Sequence, residues 1–115
     1  MSIFDLQHDT SIVYVTCRSL DRAGDTTRTV VGKYLAACIN ISDGMRSVFG
    51  WEGWVQESEE VLLILKIRRA CLDKLSARVM ELRSFDVPCV AEILLGTGNA
   101  GYFAWIAVET SGGGA

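Results

Sequence analysis

The chain reads as an α+β sandwich of the βαββαβ, ferredoxin-like kind, closed by one extra helix. Three observations predict this. Trp51-Glu52-Gly53-Trp54 places a tight turn between two long β-type segments, so a central hairpin is expected. Each side of that hairpin carries apolar residues at helical spacing, which gives the order β-α-β-β-α-β. Finally, Val61 to Leu65 are apolar without interruption, the pattern of a strand buried on both faces. A chain of 115 residues has helix enough for one face of a small sheet, so the other face needs a partner, most economically a second copy.

Residues 11–17 are rich in β-branched and aromatic side chains and form the first strand. Ser19 offers a helix cap, and Asp21 falls in the first turn, where negative charge is favoured. Ala23, Thr27, Val30, Val31 and Tyr34 then recur at helical spacing and predict an amphipathic helix to about Leu35. Gly24 and Gly32 weaken it by about 1 kcal/mol each relative to Ala, and tight packing on the sheet would account for them. The second strand starts over 36–41 and is interrupted by Ser42-Asp43-Gly44, turn residues that suit a bulge or a bend. It resumes through Trp51, and the third strand returns to about Ile67. Leu72, Leu75, Val79 and Leu82 mark the second helix. Pro88 cannot donate to a sheet and belongs to the connection; residues 90–95 form the fourth strand. Asn99 is placed to cap a last helix carrying Tyr102, Phe103 and Ile106. The domain is expected over 11–109, between a polar leader, 1–10, and a flexible tail, 110–115.

Half the residues are apolar and the mean hydropathy is +0.26, a surplus that commonly becomes an interface. A net charge of -3 without a Lys/Arg stripe argues against a nucleic-acid partner. No apolar stretch reaches the roughly 20 residues that span a bilayer, and the first ten residues lack a signal-peptide pattern. No membrane partner and a cytoplasmic location are therefore expected. Cys17, Cys38, Cys71 and Cys89 are far apart in no paired spacing and read as free thiols. The only histidine, His8, lies in the leader. With no histidine in the domain, no G-x-S-x-G and no glycine-rich phosphate loop, an enzyme is not expected. Gly96-Thr97-Gly98-Asn99 would be able to present backbone N–H groups to an anion, but two glycines in a connecting turn are common.

Three blocks resemble the CutA family of divalent-cation tolerance proteins. They are Leu35-Ala-Ala-Cys-Ile-Asn-Ile41, then Arg46-Ser-Val-Phe-Gly-Trp-Glu-Gly53 running on to Glu60-Val-Leu-Leu-Ile-Leu-Lys66, and Gly98-Asn99-Ala-Gly-Tyr102-Phe-Ala-Trp105. The resemblance implies a homotrimer similar in architecture to the PII signalling proteins, with Trp51, Trp54, Phe49 and Trp105 at the trimer interface. It also implies a role in divalent metal tolerance, copper above all, exerted by binding.

In that family the proposed metal ligands include an imidazole and carboxylates before the last strand. Here the corresponding run is Arg83-Ser84-Phe85-Asp86-Val87-Pro88-Cys89, with arginine at the histidine position. Arginine cannot ligate a divalent cation. The candidate ligands for copper or zinc become Cys89, Asp86 and Cys17, a thiolate and carboxylate set suited to a soft ion. Cys17 reads more readily as a small buried hydrophobe, and Cys89 is readable either way. A second set, Glu52, Lys66, Arg83, Asp86 and Tyr102, would line an inter-subunit cleft for a small metabolite or a partner protein, or act as ion pairs that fix the trimer. The first use would make the chain a PII-like signalling or scaffold trimer.

Overall fold

The computed structural model describes residues 8–81 and 89–111. In chain order it holds β1 (Thr10–Cys17), α1 (Leu20–Gly32), β2 (Cys38–Trp51), β3 (Trp54–Arg68), a 3-10 turn (Arg69–Cys71), α2 (Leu72–Glu81), β4 (Val90–Leu94) and α3 (Ala100–Glu109). The strands make one sheet in the order β2-β3-β1-β4, each neighbouring pair antiparallel. This is the ferredoxin-like plan that the sequence predicts, with β1 and β3 central.

Strand alternation divides the sheet into two unlike faces. Val13, Val15 and Cys17 of β1 and Val61, Leu63, Leu65 and Ile67 of β3 are buried with Ala23 and Val30 of α1 and Leu75 and Val79 of α2. On the opposite face Ile12, Tyr14, Leu62 and Ile64 are only half-buried. Within one chain the expected double burial of β3 is therefore complete on the helix side alone. The other face is partly roofed by α3, which packs on β3 and β1. Arg68, on that face, pins α3 by donating to the Thr110 carbonyl at 3.0 Å. Thr110, which the sequence assigns to the tail, is buried and bonded back to Ile106.

Helix α1 differs from expectation at its end and in its buried stripe. Ala23, Thr26 and Val30 face the core, whereas Val31 and Tyr34 are exposed. The helix stops at Gly32 because Tyr34 adopts φ 61, with Leu35 N donating to Val30 O and Tyr34 N to Val31 O. That pair of bonds is the Schellman stop, here with a tyrosine in the left-handed position that glycine usually fills. A methyl at Gly32 would meet nothing within 4 Å and one at Gly24 only the Arg28 guanidinium, so close packing does not explain either glycine.

The bulge forms as the turn residues predict. Ser42 pairs with Leu62 but Met45 pairs with Glu60, so β2 carries one extra residue, with Gly44 at φ 77 and Asp43 Oδ1 accepting from Gly44 N. Side-chain phase inverts there. Before the bulge Ile39 and Ile41 share the helix face; beyond it Arg46, Val48 and Gly50 do, and Met45, Phe49 and Trp51 turn to the opposite face.

At the C-terminal end Asn99 caps α3, its Oδ1 accepting from Gly101 N and Tyr102 N. The N–H groups that an anion would have used are thereby occupied.

Candidate functional site

The central hairpin is longer than the sheet that holds it. β1 covers β3 only from Val61 to Arg68, so 45–51 and 54–60 continue as a two-stranded arm. Seven residues of strand extend it by about 23 Å. The molecule measures 49 × 28 × 22 Å, and its radius of gyration, 15.1 Å, exceeds the roughly 13 Å of a compact chain this long. Glu52 (φ 51) and Gly53 (φ 85) form the two-residue turn at the tip, flanked by the Trp51–Trp54 pair.

One face of this arm is aromatic and the other charged. Trp54, 74 % exposed, lies with Trp51 and Phe49 on the face that continues into Leu62 and Ile64; Tyr14 Oη contacts Met45 Sδ at 3.8 Å on the same side. The reverse side carries Val55, 81 % exposed, and Arg46, which bridges Glu57 at 3.4 Å and Glu59 at 3.7 Å. Exposed pairs of this kind contribute little. A lone two-stranded ribbon is marginal in water, and an uncovered apolar face of this extent marks an interaction surface. Helix α3 adds to it: Phe103 and Ile106 are buried, but Tyr102, Trp105 and Val108 are exposed, with Tyr102 and Trp105 stacked at 5.9 Å.

At the root of β2 three polar groups converge. Cys38 stands opposite Lys66, whose Nζ lies 4.0 Å from Cys38 Sγ. Lys66 is 9 % exposed, and among the described residues no carboxylate comes within ion-pair distance of it. Burial raises the Tyr102 phenol, and negative charge on Cys38 raises it further, so the phenol stays a donor beside them. The sequence singles out Lys66 and Tyr102 and misses Cys38. The other cleft candidates separate: Glu52 is at the far tip of the arm, and Arg83 and Asp86 lie outside the described residues.

The predicted metal ligands are placed as follows. Cys17 is buried on the helix face; burial pushes its thiol up, partly offset by a hydrogen bond with Thr26. Cys89 is exposed ahead of β4; partial burial raises its thiol and the Glu60 carboxylate raises it further. Glu60 alternates onto the face opposite Cys17. Asp86 is outside the described residues, and among those described no three His, Cys, Asp or Glu side chains gather as a metal site. All four cysteines are free thiols.

Sheet order, helix placement and arm define the class: a ferredoxin-like α+β domain with an overlong central hairpin. Residues 11–109 match the family model described as CutA1 divalent ion tolerance protein. The chain belongs to the CutA1 family. It is 37 % identical to the chloroplastic protein CutA 1 of Oryza sativa subsp. japonica over 99 residues, 86 % of this chain and 56 % of that protein. Against the divalent-cation tolerance protein CutA of Thermus thermophilus it is 33 % identical over 99 residues, covering 86 % of this chain and 96 % of that one. The chain thus spans little more than half the length of the rice relative and of the Arabidopsis thaliana one, 54 %. Among solved structures, CutA1 from Oryza sativa superposes with a TM-score of 0.84 at 37 % identity, covering 88 % of this chain and 93 % of that chain. The periplasmic divalent cation tolerance protein CutA from Archaeoglobus fulgidus gives 0.84 at 29 %, covering 88 % and 98 %.

Proposed function

We propose that this chain acts as a homotrimer in divalent-metal tolerance, copper or zinc being the ions concerned, and that it works by binding at sites the assembly completes. The observation that carries the assembly is the arm: Phe49, Trp51 and Trp54 form an uncovered face on a ribbon too thin to bury them itself. Three copies let each arm lie on a neighbour's open sheet face, where Leu62 and Ile64 wait half-covered. Membership of a divalent-ion tolerance family supports the metal role. Cys89, being exposed, is the thiol best placed to meet an ion, with Asp86 three residues before it and Cys17 as the remaining candidate.

The test is equilibrium dialysis of the reduced protein against Cu(I) and Zn(II), with Cys89→Ser and Cys17→Ser alongside and light scattering on the same samples. Stoichiometric binding lost with Cys89→Ser, by a particle of three chains, supports the proposal. Monomers, or uptake no greater than four isolated thiols would give, overturn it. A second reading draws on Lys66, Cys38 and Tyr102 at the root of β2: a PII-like trimer that binds an anionic metabolite. It predicts stabilisation by that metabolite and indifference to chelator.

A further inference from the structure

We propose that Lys66 is neutralised by Glu52 of the partner subunit, seated between Cys38 and Tyr102. The inference rests on the assembly reading above and adds to it the residue that each copy lends to the next. Lys66 is a cation with nine-tenths of its surface covered, and its hydrogen-bond partner is a thiol at 4.0 Å. A covered ammonium is retained where a carboxylate meets it. Glu52 is the complementary oddity. It holds φ 51 in a turn whose positions favour Asn, Asp or Gly, at a cost of about 1 kcal/mol, and within the chain its carboxylate has no hydrogen bond or ion pair among the described residues.

The two cannot meet in one chain. Trp54, beside the tip, and Lys66 are separated by twelve steps of a single strand, about 40 Å. Yet both alternate onto one face, and Cys38, next to Lys66, opens the edge strand where an arriving arm has access. The indoles of Trp51 and Trp54 flank Glu52 and would exclude water from the pair, which strengthens it.

Sedimentation of a dilution series tests this with Glu52→Gln, Lys66→Met and the double variant. Each single change should raise the half-dissociation concentration about tenfold, and the double should stay within about threefold of either single. Additive effects overturn the pairing. Because Lys66→Met also alters packing, a charge reversal provides the second arm: Lys66→Glu should fail to assemble and Glu52→Lys in the same chain should restore it. Rescue by Asp86→Lys instead would assign the carboxylate to Asp86 and overturn the proposal. A parent protein that is monomeric throughout removes the assembly reading and this pairing together; an oligomer with additive singles removes the pairing alone.

Discussion

Gly98 faces the ring of Phe103 so closely that a methyl on it would stand 2.7 Å from Cζ. Phe103 is buried under α3, so its ring has little freedom to swing aside. Gly98→Ala should therefore destabilise the fold by about 1–3 kcal/mol, read as a lower urea midpoint. Phe103→Leu in the same chain should recover part of the loss. An unchanged midpoint for Gly98→Ala would show that this contact does not constrain the turn.

Tyr34 holds the left-handed position of the α1 stop with its side chain exposed. Glycine relieves a backbone penalty of about 1–2 kcal/mol there and gives back about half through unfolded-state entropy. Tyr34→Gly should stabilise by about 1 kcal/mol, whereas Tyr34→Ala should not; equal midpoints for the two would refute the strain.

Trp54 is the most exposed indole of the arm and touches no part of the buried core. Trp54→Ala should leave the far-ultraviolet circular dichroism unaltered and weaken assembly by about 2 kcal/mol, roughly thirtyfold in dissociation. Trp51→Ala should act in the same direction. Unaltered assembly in both variants would remove the arm from the interface.

Cys17 gives the stability curve an alkaline side. Its folded pKa lies above the ordinary 9.0, so the unfolded chain releases the proton first. Stability from this group is complete below about pH 9 and is lost as pH rises from there through the folded value. Urea midpoints should fall on the alkaline side, and Cys17→Ala should flatten that fall. Tyr102, raised above 10.0, bends the curve the same way at higher pH. A slope untouched by Cys17→Ala would assign the titration elsewhere.

The sheet, both amphipathic helices, the Glu52-Gly53 turn, the bulge and the Asn99 cap are all legible in the chain because each is a local pattern. The end of α1 is not. Its apolar spacing runs on through Tyr34, and the residue that turns left-handed is a tyrosine, against the preference that would have flagged it. Cys38 was recoverable. A two-residue turn at 52–53 with one extra residue at 43–44 places Cys38 opposite Lys66, where the turn alone would place it opposite Ile67. What no local pattern reveals is which side of a strand stays uncovered, because that depends on where α3 comes to rest.

The extra residue near Gly44 reconciles two strand frames. The unbroken alternation of β3, carried through the Glu52-Gly53 turn, sets the face on which Phe49 and Trp51 stand, while Ile39 and Ile41 must meet the helices below. Were the extra residue paired instead of bulged, Ile39 and Ile41 would turn to the open face and Cys38 would move from Lys66 to Ile67. One unpaired residue thus lets a single strand serve the core at its root and an aromatic face at its tip.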